Sequence, residues 1–448
     1  MTTTTMDSKT ISAPQGMKTF VAIWASQLIS ILGSGLTSFA LGVWIFDQTG
    51  KATPFALTVL LGNLPRILLL PVAGSLADRW NRRWVMILSD AGNALVTISV
   101  FLLVFFGNLQ FWHIYLIVTI GSIFSAFQEP AYTASVTMLV PKKDLSRANG
   151  MMQMTQALEL TLTPILAGVL FVAIGLPGIL VIDFATFLIA VSALLAVHIP
   201  QPELNEHEDE KSSVWTDAVF GWNYLKARPG LFGLLWYFAM VNFFLNWSGV
   251  LIAPLILSRY SASTLGTVQM FFGLGMLAGG IVSSVWAGPK RRIAAIMGYI
   301  GFGLLGMLVA GLRPEAIYTG AGLFWMLFFV PLSSAASQAV FQSKVAPEVQ
   351  GRVFGIRSMI SRSVMPLAFL LAGPLADLVF TPLLETNGAW ANTFIGTLLG
   401  TGAGRGIGFM FVASALVGIG VTLLVYANPR IRNLEDEIPD AVGETPEK

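Results

Sequence analysis

AGSLADRWNRR, Ala73 to Arg83, places four charged side chains, Asp78, Arg79, Arg82 and Arg83, within six residues of a chain that is 55% hydrophobic and only 11% charged. Long apolar runs flank it on both sides. It therefore reads as a short turn between two helices whose outer faces meet lipid rather than water. The remaining composition agrees. A mean hydropathy of +0.72, with 31 Phe and 12 Trp in 448 residues, belongs to the membrane class, where the placement of Lys and Arg matters more than a net charge of +2.

A helix needs about 20 apolar residues to cross a bilayer. Such windows occur near 18–46, 54–77, 84–107, 112–140, 148–175, 178–198, 230–258, 264–287, 293–311, 317–343, 352–378 and 404–428, which predicts an all-α integral membrane protein of twelve crossing helices. The loops after the second, fourth, eighth and tenth carry Arg79, Arg82, Arg83, Lys142, Lys143, Arg147, Lys290, Arg291, Arg292, Lys344 and Arg352. The opposite loops hold only Lys51, Arg259, Arg313 and Arg405. By the positive-inside rule both termini are expected in the cytoplasm, as an even number of crossings requires.

The expected organisation is a polar N-terminal tail over 1–17, a six-helix bundle over 18–198, a linker over 199–229, a second bundle over 230–428 and a cytoplasmic tail over 429–448. The first tail lacks the order of a signal peptide. In the linker, Val214, Trp215, Ala218, Val219, Trp222 and Leu225 recur at helical spacing, which suggests an amphipathic helix on the membrane surface. Shifting the chain by 205 positions superposes Val140, Arg147, Gly150, Leu162, Ala167, Gly168 and Leu170 on Val345, Arg352, Gly355, Leu367, Ala372, Gly373 and Leu375. Two bundles related by an axis along the membrane normal follow from that register.

Several chemistries are excluded early. With no cysteine there is no disulfide or thiol catalysis, and His113, His198 and His207 are too scattered for a metal site. GTGAGRGIG, Gly400 to Gly408, has neither the preceding strand nor the following Lys-Ser/Thr of a phosphate loop and reads as a flexible helix lead-in. No nucleophile and base pair emerges, so neither an enzyme nor a cofactor is expected, and no nucleic-acid partner.

The opening stretch resembles the G-x-L-a-D-R-x-G-R-R signature of the major facilitator superfamily, with Gly74, Leu76, Asp78, Arg79, Arg82 and Arg83 in place and Asn81 where Gly is usual. DRWNRRWVMILSD, GPKRR and LAGPLADLVFTPLL look most like its macrolide-efflux and enterobactin-exporter branch. The resemblance implies two pseudo-symmetric six-helix bundles and a gate at this turn, where Asp78 meets the start of the eleventh helix near Arg352. AGPLAD, Ala372 to Asp377, nearly repeats AGSLAD, but at the other membrane face, and is set aside as a gate.

Ionisable residues inside the spans are expensive there and face the bundle interior by default. Asp90 and Arg357 lie near the cytoplasmic ends and read as interface charges, and Asp183 as one half of a structural pair. Arg66, Glu129, Glu159 and Arg362 fall nearer the middle. On the fifth helix Gln153, Gln156, Glu159 and Thr163 share a face that overlaps the antiporter signature at Gly150, Pro164 and Gly168. Glu159 is either a proton carrier or an ion pair with Arg362, and Glu129 with Arg66 poses the same choice. Polar faces for a substrate cavity are offered by Gln27, Ser30, Ser34 and Thr37 on the first helix. Gln128, Gln156, Asn242, Asn246, Ser334, Gln338 and Gln342 extend them.

The function expected is a monomeric, proton-coupled exporter of amphipathic small molecules, drug- or macrolide-like, in the plasma or inner membrane. A siderophore or lipid exporter, an uncoupled facilitator and a non-transporting receptor are the alternatives.

Overall fold

The computed structural model describes residues 16–141, 144–197, 214–286, 288–346 and 349–441. His198, His207, Lys142, Lys143, most of the predicted N-terminal tail, residues 199–213 of the linker and residues 442–448 lie outside them. The described residues form helices and no strand. In chain order these are α1 (Met17–Thr49), α2 (Ala52–Arg79), α3 (Arg82–Phe105), α4 (Phe111–Leu139), α5 (Leu145–Ala196), α6 (Val214–Lys226), α7 (Pro229–Leu257), α8 (Ala262–Val285), α9 (Arg292–Leu312), α10 (Ala316–Lys344), α11 (Gln350–Leu375), α12 (Thr381–Leu383), α13 (Phe394–Leu399), α14 (Arg405–Ala427), α15 (Pro429–Arg432) and α16 (Leu434–Glu437). Among the described residues, eleven helices are long and apolar enough to cross a membrane. One of them, α5, is two crossings joined without a loop at Gly175, whose φ of 65° interrupts the helix two residues before Pro177. The twelve predicted windows are thereby accounted for.

Local chemistry explains the boundaries. Asn81, standing where the signature has Gly, caps α3 by accepting from the Trp84 backbone N–H at 3.3 Å. Ser261 caps α8 through Thr264 N–H, and Pro229 opens α7 at a position where a missing N–H is harmless. Where α9 crosses α10, a Cβ on Gly306 would fall 2.4 Å from the Gly322 carbonyl and one on Gly322 would fall 2.3 Å from that of Gly306. Small residues replace hydrophobic driving force as the means of close helix contact in lipid.

The chain divides into two compact units, one of Met1–Ser34, Gly62–Gln156 and Leu180–His207, the other of Gly35–Leu61, Ala157–Ile179 and Glu208–Lys448. The division cuts α1, α2 and α5 mid-helix. The first unit has a core of Phe20, Ile23, Met86, Val136, Leu139, Ala148 and Leu194. In the second, α6 realises the helix expected in the linker and docks on α11, with Gly221 so close to the Arg352 carbonyl that a Cβ would approach to 2.6 Å.

The predicted C-terminal tail is structured up to residue 441 and closes one end of the second unit. Glu435 caps α9, its two oxygens accepting from Arg292 N–H at 3.1 Å and Ile293 N–H at 3.0 Å. Lys344, buried at the end of α10, donates to the carbonyls of Glu435 and Ile438 and pairs with Asp440 at 3.0 Å. Ile431 and Leu434 are buried, and a Cβ on Gly230 of α7 would lie 2.6 Å from the Arg430 carbonyl.

Candidate functional site

In the first unit, helical spacing brings Gln27 of α1, Asp90 of α3 and Gln128 of α4 together. Asp90 is 1% exposed. One oxygen accepts from Gln128 Nε2 at 2.6 Å, the other from Gln27 Nε2 at 3.2 Å, and Gln128 Nε2 also reaches Gln27 Oε1 at 3.2 Å. Asp90 is therefore a buried carboxylate, which corrects its reading as an interface charge. Its sequence gave no warning because burial depends on α1 and α4, not on depth along α3. Asp183 is equally buried and accepts from Thr97 Oγ1 at 3.0 Å and Ser34 Oγ at 3.4 Å, so Ser34 holds a carboxylate. Ser30 is buried. Arg66 and Glu129 do pair, with Nε to Oε2 at 3.1 Å, but each side chain remains about half exposed, at 46% and 51%.

The second unit contains a recess bounded by α7, α9, α10 and α14, enclosing about 670 Å³ of atom-free space that is partly open to solvent. Phe238, Met240, Phe244, Met307, Met326 and Phe329 supply apolar walls, and Asn242, Ser333 and Ser334 supply polar atoms. Asn242 and Asn246 each donate to a carbonyl one turn earlier on α7, at 2.8 Å. Gln338 accepts from Arg357, which also donates to Ser337 Oγ at 2.8 Å and lies over the Phe341 ring at 4.4 Å. Gln342, Gln156 and Glu159 are exposed. The Glu159 to Arg362 pair does not form: Arg362 is exposed and makes no hydrogen bond or ion pair among the described residues. Those residues include no cluster suited to a metal ion.

Membrane-crossing helices around isolated buried polar clusters describe many transporters. The sequence model of the Major Facilitator Superfamily matches residues 23–370. The chain belongs to the major facilitator superfamily. Macrolide efflux protein A of Streptococcus pyogenes is 29% identical over 80% of this chain and 89% of its own length. The multidrug efflux pump Tap of Mycobacterium tuberculosis is 23% identical over 80% and 87%. Among solved structures, a bacterial homologue of the human lysosomal transporter Spinster, inward-facing and unoccupied, aligns with a TM-score of 0.68 at 16% identity, covering 95% of this chain and 99% of that one. A bacterial homologue of the iron transporter ferroportin aligns at 0.64, with 15% identity and coverage of 92% and 99%. Like the superfamily, the protein is a multi-pass membrane transporter for small molecules and not an enzyme.

Within the superfamily signature, the side chains of Gly74, Asp78 and Arg79 lie outside the described part. Arg82 donates to the Ala134 carbonyl at 2.9 Å, and Arg83 to those of Leu194 at 2.8 Å and Leu195 at 2.6 Å. These contacts tie the start of α3 to the ends of α4 and α5. Arg352, at the start of α11, stands over the Phe220 ring of α6 at 5.0 Å. The repeat AGPLAD holds the finding that sequence reasoning missed. Asp377 accepts from the backbone N–H groups of Ala52 and Thr53, at 2.9 and 2.7 Å, and from Thr53 Oγ1 at 2.6 Å. It thus caps α2, which makes it more than a chance echo of AGSLAD. The near-repetition itself was the available clue. GTGAGRGIG is likewise no loose lead-in. Gly404, at φ 73°, lets the chain turn Arg405 inward, where it is 1% exposed and donates to the Gly311 and Leu312 carbonyls ending α9.

Proposed function

We propose that this protein exports amphipathic small molecules, drug- or macrolide-like, in exchange for protons. It works as a monomer in the plasma or inner membrane by alternating access, with both termini in the cytoplasm. The recess of the second unit carries this reading. Walls of Phe and Met with a few amide and hydroxyl groups suit a bulky, largely apolar molecule, because Met side chains reshape around different contours while the polar atoms orient it. The names of the relatives, macrolide and multidrug efflux pumps, support the same substrate class. We assign gating to Gly74, Asp78, Arg79, Arg82, Arg83 and Arg352 on the superfamily signature. The remaining Gln and Ser candidates of the sequence contribute to the wall of the pathway.

The test is uptake of labelled erythromycin into inside-out proteoliposomes with and without an imposed pH gradient. Uptake that needs the protein and rises with the gradient is expected; absence of uptake removes the substrate class, and uptake blind to the gradient removes the coupling.

One observation favours a second substrate reading. Arg357 is held by two neutral acceptors and an aromatic face, with no carboxylate partner among the described residues. A guanidinium so placed would attract an acidic amphiphile of the siderophore kind. Comparing export of an anionic catecholate with that of erythromycin in the same vesicles separates the two, since Arg357→Gln should impair only the former.

A further inference from the structure

We propose that Asp90 is the proton-binding carboxyl of this protein, with Gln27 and Gln128 as its positioning residues; its part in driving export rests on the coupling proposed above. Asp90 sits within a membrane-crossing helix, almost wholly buried, and all its hydrogen bonds among the described residues come from two uncharged amides. Charge in such a place demands either a cation or a proton. No cation is supplied among the described residues. Lys18 lies in the first turn of α1, Arg82 and Arg83 are committed to carbonyls at the start of α3, and Glu129, the neighbour of Gln128 on α4, is turned to Arg66 of α2. Tyr132, one turn along α4, is buried with its hydroxyl unpartnered, and Asp183 on the second arm of α5 is engaged by Thr97 and Ser34. Glu129 and Glu159, the acids singled out in the sequence, are exposed.

The amides make the site two-state. As a carboxylate, Asp90 accepts from both Nε2 groups. On taking one proton, one oxygen becomes a donor, and the acceptor within the cluster is Gln27 Oε1, now engaged by Gln128. Protonation therefore adds a donor from α3 to the amide oxygen on α1 that α4 already engages, and so changes the hydrogen bonds joining α1, α3 and α4. Release of the same proton restores the first arrangement. Gln128 is only half-buried and gives the cluster its route to the surface of the unit.

The proton site is read without any substrate, by infrared titration of the purified full-length protein. A protonated-carboxyl band that changes with pH is expected in the wild type and should be missing in Asp90→Asn; an identical band in that variant overturns the assignment. Should Asp90→Asn fail to fold, Asp90→Glu must keep the band at an altered frequency, and an unaltered frequency again overturns it. In proteoliposomes, a gradient of one pH unit supports up to about tenfold erythromycin accumulation at one proton per molecule. Asp90→Asn should reduce that accumulation to none while erythromycin still exchanges down its own gradient, and a variant that still accumulates sinks the proposal. If the wild type ignores the gradient while its band still belongs to Asp90, the coupling reading falls and the proton site stands.

Discussion

The carboxylate of Asp377 holds Thr53 twice, through the backbone N–H at 2.7 Å and the hydroxyl at 2.6 Å, although 324 positions separate them in the chain. An anion at the positive end of α2 is stabilised both by the orphan N–H groups and by the helix dipole. Loss of such a cap typically costs about 1 kcal/mol. Because the chain has no cysteine, Lys51→Cys offers a single exposed label beside the contact. Asp377→Asn is expected to raise its labelling rate about fivefold, the factor that one such increment of free energy allows. Equal rates in the two backgrounds would show that the cap does not hold the start of α2 to the turn that follows α11.

Arg405 makes a separate prediction about stability. Its guanidinium donates to the two carbonyls that end α9, while its Nε and Nη1 have no partner among the described residues. Such a half-satisfied buried charge is a poor stabiliser compared with apolar packing of the same size. Arg405→Ala, which leaves a cavity and two orphan carbonyls, should destabilise by about 3 kcal/mol. Arg405→Met should cost clearly less in thermal unfolding in detergent. The reverse order would mean that the charge itself is required.

For Arg66 and Glu129, half-exposure decides the expectation. Exposed pairs contribute up to about 1 kcal/mol, so a double-mutant cycle on unfolding should give a coupling energy no larger than that. Erythromycin transport by Glu129→Gln should keep its dependence on the pH gradient. Loss of that dependence would return the coupling role to Glu129.

The recess predicts a size effect. Met307 lies in its wall, and Met307→Trp should fill the space and weaken erythromycin transport about tenfold, equivalent to roughly 1.4 kcal/mol. Met307→Leu, which conserves volume, should change it little. Equal activity of both variants would place the substrate elsewhere.

Much of the fold was legible in the sequence because lipid imposes a simple rule: about 20 apolar residues between charged turns. AGSLADRWNRR supplied one such turn and its family, but not the capping role of Asn81, which depends on the backbone at the start of α3. Side chains on a regular face were partly legible too, since Gln27 and Gln128 were singled out by spacing or depth alone. What they surround was not. The position of Asp90 along α3 resembles that of an interface charge, and only the neighbouring helices bury it. Asp377 lies away from the AGSLAD turn, and its partner, the start of α2, is far from it in the chain, so spacing alone does not reveal the contact. Arg405 was hidden inside a glycine string whose turns, set by positive φ at Gly400, Gly402 and Gly404, have no apolar periodicity to reveal them.

The closure of the second unit by residues 430–440 has a consequence for how the protein is made. Glu435 and Lys344 join α9 and α10 to a segment that leaves the ribosome after every crossing helix has been inserted. Until that segment emerges, the N–H groups at the start of α9 lack their carboxylate and Lys344 lacks its carbonyls. Final seating of these helices therefore waits on residues 430–440, and a chain truncated after residue 428 would carry the crossing helices described above but leave this end unfastened.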